Sequence, residues 1–246
     1  ERARPERKKR RREKVEPHFL PVEERLGNFE EVNLGYITEE EVASETERCL
    51  QCKKPKCMAA CPVGFSVPDM IKHVREGDMQ AAADVVNDFF CTPSSQNRIC
   101  PAFCEQACVI GKSGDPVQIL NTKRFLSDNY TKPASFYHRG ELTHKKIAVI
   151  GSGPAGLTAA HELARLGHDV RVFDMQMLGG MLAVGIPEYR LDNNLLHKEI
   201  KELEKLGIEF EVGKVYGRDY NHEDLFKVGY EAVVLAIGAH KPKFMN

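Results

Sequence analysis

Hydrophobic positions change their rhythm part-way along this chain. Up to about residue 130 apolar side chains recur at helical spacing, and from residue 146 they gather into short runs separated by helical stretches. Residues 67–75 and 79–87 place apolar side chains three and four apart, with Gly77 breaking the pattern between them. Residues 117–130 repeat that spacing through Val117, Leu120, Phe125 and Leu126. Thr38 followed by Glu39, Glu40 and Glu41 reads as an N-cap with an acidic first turn, opening a helix that runs to Arg48. Pro62 and Gly64 interrupt the chain beyond it. This part is expected to be helical and loop-rich.

The second rhythm starts with residues 146–150, a short apolar β-run, followed by a glycine-rich turn and a helix over 155–166 stopped by Gly167. Residues 170–173, 208–212 and 232–235 read as further strands, and 195–206 as an amphipathic helix. Strand–helix–strand alternation predicts an open α/β sheet. The expected organisation is a basic disordered arm over 1–21, a helical domain over 22–131, a linker over 132–144 and a Rossmann-like domain over 145–246.

Composition narrows the class. The chain has 246 residues, 42% hydrophobic, with net charge −1, so a sizeable core is expected and nothing global points to nucleic acid. The exception is the start, where Arg2, Arg4, Arg7, Lys8, Lys9, Arg10, Arg11, Arg12 and Lys14 form a basic block. Such blocks are usually solvated tails, and this one lacks the interleaved aromatics of a nucleic-acid binder. No apolar stretch approaches the roughly 20 residues that span a bilayer. No apolar h-region marks a secretory signal. Cysteines in ligand spacing without a secretion signal suit a reducing cytoplasm.

The cysteines carry the chemistry. Cys49, Cys52, Cys57 and Cys61 form C-x2-C-x4-C-x3-C-P, and Cys100, Cys104 and Cys108 form C-P-x2-C-x3-C. Soft thiolates grouped this way suit an iron–sulfur cluster, with zinc as the competing metal. Cys91 stands outside both runs.

The glycine-rich turn has the context a dinucleotide fingerprint requires. Gly151, Gly153, Pro154, Ala155 and Gly156 follow a predicted strand and open a helix, and Asp174 ends the next strand. Gly151 permits the tight turn, Gly153 lets backbone approach a pyrophosphate, and Gly156 lets helix and strand pack closely. The helix N-terminus offers N–H groups to phosphates, and Asp174 can accept from a ribose. Gly179, Gly180 and the Ala236-Ile237-Gly238 turn complete the set. Glycines alone leave FAD and NAD open.

Here resemblance adds to the reading. The order of fingerprint, acid, Gly-Gly and late A-x-G resembles the FAD-binding half of flavoprotein disulfide-reductase-like enzymes, which implies FAD. Residues 48–63 (RCLQCKKPKCMAACPV), 97–111 (NRICPAFCEQACVIG), 150–157 (IGSGPAGL) and 179–191 (GGMLAVGIPEYRL) resemble the glutamate synthase small subunit and the related N-terminal part of dihydropyrimidine dehydrogenase. The resemblance runs from about Phe29 onward. It implies a multidomain protein: an α-helical iron–sulfur domain followed by a partial α/β FAD-binding domain. It implies that Cys49, Cys52, Cys57 and Cys108 hold one 4Fe–4S cluster and that Cys61, Cys100 and Cys104 hold a second. The family's fourth ligand there is usually Glu or Gln, fifteen residues past the last cysteine, and this chain has Lys123. Cys91 is then either a buried inert thiol or a replacement ligand.

Asp192 is a further departure, standing where proline often follows Arg-Leu. Glu188, Tyr189 and Arg190 would lie near the flavin. Family members are nearly twice this length and bind NAD(P)H through a domain this sequence does not include, so a fragment or split subunit is expected. The implied function is an NAD(P)H-dependent oxidoreductase module without its own acid, base or nucleophile. It would pass electrons through FAD and clusters to a partner, the glutamate synthase large subunit or another redox subunit. Ferredoxin-linked transhydrogenase and formate dehydrogenase assemblies are examples of the latter. The alternative is a non-catalytic electron-relay or docking subunit.

Overall fold

The computed structural model describes residues 13–239. A short antiparallel pair, β1 (His18–Phe19) and β2 (Asn33–Gly35), leads into α1 (Glu39–Thr46). The Thr38 hydroxyl accepts from the Glu41 N–H while the Glu41 carboxylate accepts from the Thr38 N–H, a capping box that starts α1 where expected. Six more helices follow: α2 (Lys56–Ala60), α3 (Val67–Arg75), α4 (Met79–Phe89), α5 (Pro93–Ile99), α6 (Phe103–Gln106) and α7 (Ile119–Asn129). α3 and α4 form a packed hairpin, and α7 lies against α4 and α5. Val42, Phe65, Met70, Ile71, Val74, Ala82, Val86 and Leu126 fill the core between them. Burying each of the larger ones contributes about 1.5–3 kcal/mol. α2, α5 and α6 are too short to show a period, so sequence alone leaves them as loops.

The second half alternates strands and helices: β3 (Lys146–Ile150), α8 (Pro154–Arg165), β4 (Asp169–Asp174), α9 (Met181–Val184), α10 (Asn193–Leu203), β5 (Glu209–Val212), α11 (His222–Lys227) and β6 (Ala232–Leu235). The four strands are parallel in the order β5-β4-β3-β6. Alternate residues face opposite layers. Val149 and Val172 pack with Leu157 and Ala160 of α8 and Leu196 and Ile200 of α10. Ala148, Ile150 and Phe173 pack with Leu225 of α11 on the other side. The chain leaves β3 toward β4 on one side and later returns as β6 on the other. The carboxyl ends of β3 and β6 therefore frame a topological switch point, where open α/β sheets bind ligands.

Two boundary expectations are corrected. The arm does not extend to residue 21: the Val15 N–H donates to Glu45 Oε2 at 2.9 Å, the Tyr36 hydroxyl donates to the Val15 carbonyl at 3.1 Å, and Leu20 is buried. Charge patterning registered the basic residues and missed the apolar ones that dock. Residues 1–12, which hold most of the basic block, lie outside the described residues. The linker is no solvated spacer either. Its Ala134–Tyr137 turn buries Phe136 against the His161 ring, with centroids 4.6 Å apart. Proline and glycine there mark turns, and turns can still be packed.

The two halves share one core. Cys91, Ile99 and Phe136 pack with Leu157, Leu196 and Ile200. Buried Glu199 of α10 reaches across, accepting the Ser94 N–H at 2.8 Å and the Ser95 N–H at 2.9 Å at the start of α5. Among the described residues no helix is long and apolar enough to cross a membrane.

Candidate cluster and dinucleotide sites

Cys49 follows the last turn of α1, Cys52 lies in the next loop, Cys57 is carried by α2, and Cys108 follows α6. These four line one small cavity, walled by Val67, Ile71, Val117 and Ile119. Gln51 takes a left-handed backbone (φ 47°) and turns its N–H toward Cys49 Sγ at 3.5 Å. N–H donors to sulfur are among the protein's means of tuning a cluster. Arg75 anchors the loop, donating to the Thr46 carbonyl at 2.8 Å and the Cys49 carbonyl at 2.6 Å. Burial pushes the Cys49 and Cys57 thiols up, and the neighbouring thiols add to the effect. Among the described residues no three His, Cys, Asp or Glu side chains converge on a single-ion position. Four thiols from two chain segments lining one cavity give the soft, all-sulfur donor set a 4Fe–4S cluster uses. The residues of this set fit a 4Fe–4S group.

The second set is different. Cys61 ends α2, Cys100 ends α5 and Cys104 sits in α6, which packs on α2. Burial pushes the Cys104 thiol up to about 12, opposed by the nearby Lys123 charge. Lys123 is buried on α7, its Nζ 4.0 Å from Cys100 Sγ. The same Nζ lies 5.2 Å from the Phe65 ring centroid and 4.9 Å from that of Phe90. The position expected to supply a fourth ligand holds a cation on two aromatic faces. Among the described residues, the side chain beside Cys100 at this position is a lysine, which has no lone pair to offer a metal when charged.

Cys91 does not fill the gap. Its sulfur lies 3.4 Å from the Thr158 hydroxyl and takes a 3.5 Å bond from Gln96, in the core shared with the α/β half. Burial raises its thiol as well. The replacement-ligand idea is thereby set aside in favour of an inert buried thiol.

In the glycine turn, a Cβ on Gly151 would lie 2.3 Å from the Ala236 carbonyl oxygen, and one on Gly156 would lie 1.8 Å from the Gly151 oxygen. The turn is thus pressed between β6 and α8. A Cβ on Gly153 would meet nothing within 4 Å. The space beyond Gly153, at the start of α8 beside Pro154 and Ala155, is open for a phosphate group. Gly180 (φ 53°) packs its Cα face against Gly153, where a Cβ would come within 2.8 Å, and Gly179 abuts Leu196. Asp174 ends β4, and its Oδ2 accepts from the Ser152 N–H at 2.8 Å and hydroxyl at 2.6 Å. Ser152 in turn accepts the Gly179 N–H at 3.0 Å. Sequence reasoning passed over Ser152; its buried position between two essential glycines is the signal that could have found it.

Between these strand ends lies a cleft of about 300 Å³ lined by Gly151, Asp174, Gly238, Lys214, Tyr216 and Tyr220, among others. The last three come from the loop after β5, and no sequence feature singled them out. Glu188, Tyr189 and Arg190 form an exposed turn whose Tyr189 carbonyl accepts the Val32 N–H at 3.0 Å. Asp192 has its own local duty: it N-caps α10 through Asn194 at 2.8 Å.

A glycine cradle at a sheet switch point is thus joined through a shared core to a cysteine-lined cavity. Residues 25–134 match the family described as "Dihydroprymidine dehydrogenase domain II, 4Fe-4S cluster", and residues 145–246 match "Pyridine nucleotide-disulphide oxidoreductase". The first match indicates a 4Fe–4S cluster and the second FAD and NAD(P) binding. Over most of its length the chain is similar to glutamate synthase small chains. It is 36% identical to the glutamate synthase [NADPH] small chain of Mycobacterium tuberculosis over 91% of this chain and 46% of that one. The corresponding Escherichia coli protein is 32% identical over 93% of this chain and 49% of its own length. The NADPH-Fe(3+) oxidoreductase subunit beta of Geobacter sulfurreducens is 32% identical over 92% of this chain and 34% of its own. The chain thus spans half or less of the length of these relatives.

Proposed function

We propose that this chain is the cluster- and flavin-carrying part of an NAD(P)H-dependent oxidoreductase that delivers electrons to a partner subunit. One observation carries the reading. Four cysteines from two segments some fifty residues apart, Cys49, Cys52, Cys57 and Cys108, gather around one cavity in a domain fused to a dinucleotide cradle. In this reading those four hold a 4Fe–4S cluster. Gly151, Gly153, Pro154, Ala155 and Gly156 receive the FAD pyrophosphate, Asp174 takes the ribose, and Gly179, Gly180 and Gly238 let the flavin lie against backbone. When bound, FAD accepts hydride and releases single electrons, and clusters relay them.

The protein's own contribution is placement. Ser152 orients Asp174, Gln51 and Arg75 shape the Cys49 loop, and Glu199 locks the two halves together. The small-chain names of its relatives support a partner such as a glutamate-forming large subunit or another redox subunit. A reducing cytoplasm suits the thiolates.

The test is anaerobic purification of the full-length protein with iron, sulfide and flavin quantitation. Bound flavin and about four irons for each filled cluster are expected. Cys108→Ser should remove iron from the first site while flavin stays bound. Colourless protein with neither iron nor flavin would overturn the proposal.

A further inference from the structure

A buried histidine holds the segment that joins the two halves. His161 stands two turns into α8, the helix that opens with the glycine cradle, and only 1% of it is exposed. Its ring lies 4.6 Å from that of Phe136, the fully buried side chain of the Ala134–Tyr137 turn. Each ring nitrogen faces an acceptor. Nε2 lies 3.3 Å from the Phe136 carbonyl oxygen, and Nδ1 lies 3.2 Å from Glu162 Oε1. A neutral imidazole has one N–H, so it serves one of the two. Glu162 is exposed and also lies 3.6 Å from Arg165, whereas the Phe136 carbonyl meets the buried ring. The N–H therefore belongs on Nε2, where it ties the turn to α8.

A second proton is disfavoured there. Glu162 attracts it, but Arg165, one turn along the same helix, opposes it. Arg165 also lies 3.8 Å from Asp88 of α4, and the Ser135 hydroxyl donates to that carboxylate at 2.9 Å. Lys132, drawn to Glu199 of α10, sits 4.7 Å from the Phe136 ring centroid. Tyr137, edge-on to Phe136, donates to Glu202, which Lys205 pairs at 2.7 Å. Burial is the largest influence, and it holds the imidazole below its ordinary 6.5.

We propose that His161 is a proton-operated latch: neutral, it fixes the Phe136 turn to α8, and on protonation it releases that turn and loosens the seam between the two halves. The sign follows from linkage. The docked ring binds fewer protons than the released one, so the latch is closed above the ordinary 6.5 and weakens as pH falls below it, until the docked ring itself would charge. While the docked ring stays neutral, release is favoured about tenfold more at pH 5.5 than at pH 7.5. The inference uses none of the cysteines or cradle glycines, so it stands or falls apart from the proposed function.

Hydrogen exchange of the anaerobically purified full-length protein, read as protection factors between pH 5.5 and 7.5, tests it. The Phe136 N–H, bonded to the Pro133 carbonyl, and the His138 N–H, bonded to the Ser135 carbonyl, report the turn. Their protection is expected to fall about tenfold toward pH 5.5 while β3 and β4 keep theirs. His161→Gln retains an N–H for the carbonyl and cannot charge, so its protection should be flat in pH. Glu162→Gln leaves the titrating ring in place and should retain the fall. NMR of histidine-labelled wild-type protein gives a second measure that needs no variant: the His161 ring should charge at lower pH than the exposed His144 and His222.

The same pH dependence in wild type and His161→Gln would overturn the proposal. A fall that disappears in Glu162→Gln would overturn it too, by placing the switch on the carboxylate. So would a His161 ring that charges together with His144 and His222 while the turn keeps its protection.

Discussion

The α/β half and the helical half prepare their sites by opposite means. The dinucleotide cradle is built from backbone contacts so close that only glycine fits: 1.8 Å from a Gly156 Cβ to the Gly151 oxygen, 2.3 Å from a Gly151 Cβ to the Ala236 oxygen. Nothing in that packing requires a ligand. The cysteines instead hang on α2 and α6, five and four residues long, joined by loops with left-handed Gln51 and Ala102. Helices this short are not stable alone, and burial disfavours the thiolates that would bind metal. Under the proposed function, the contrast teaches that the nucleotide site is organised by the chain, whereas the cysteine sites would draw their order from what they bind.

Iron removal should separate the halves most strongly. Withdrawing iron is expected to destabilise the α2–α6 region by on the order of 5 kcal/mol, less than metal loss costs an isolated zinc peptide because the α3–α4 core remains. Hydrogen exchange should show protection lost there and kept in β3 and β4. Uniform loss across both halves would erase the distinction. Next comes the cradle. Gly156→Val is expected to cost about 3 kcal/mol in urea denaturation through overpacking. Gly153→Ala should cost about 1 kcal/mol at most, as a poorer N-cap, yet abolish flavin binding because its methyl group enters the phosphate space. Equal stability losses in the two variants would refute the preorganised cradle.

The bridge between the halves ranks third. Glu199→Ala leaves the Ser94 and Ser95 N–H groups unpaired and should cost about 2 kcal/mol. Burial raises the Glu199 pKa, so the folded state disfavours its ionised form. With more protons bound folded than unfolded, this group's contribution to stability grows as pH falls through its raised value and levels off near the unfolded 4.5. Glu199→Gln should flatten that dependence in urea titrations at several pH values; an identical slope would show that Glu199 does not titrate there. The smallest effect is expected at the α1 cap. Thr38→Ala should cost about 1 kcal/mol, read from the denaturation midpoint, with iron content unchanged.

Local signals made much of this protein legible. The α3, α4 and α7 periods, the Thr38–Glu41 cap, the β3 run and the glycine fingerprint each depend on residues a few positions apart. Short helices were not legible, since five residues carry no period. The docking of residues 13–21 escaped notice because Val15 and Leu20 are sparse among charges. Ser152 was hidden inside the fingerprint as an unremarked spacer. Lys214, Tyr216 and Tyr220 belong to a loop whose approach to Asp174 no spacing encodes.

The amino-acid sequence by itself determined the chemistry available: thiolates in ligand spacing, glycines where backbone must come close, and a lysine where a ligand was expected. Only the tertiary structure decided how these were shared out. It seated Cys108 beside Cys49, Cys52 and Cys57, sent Cys91 into the other core, and wrapped Lys123 in Phe65 and Phe90. The physical reason is range. Spacing and capping act within a turn or two of chain, whereas the surroundings of a buried group are set by whichever distant segments pack against it.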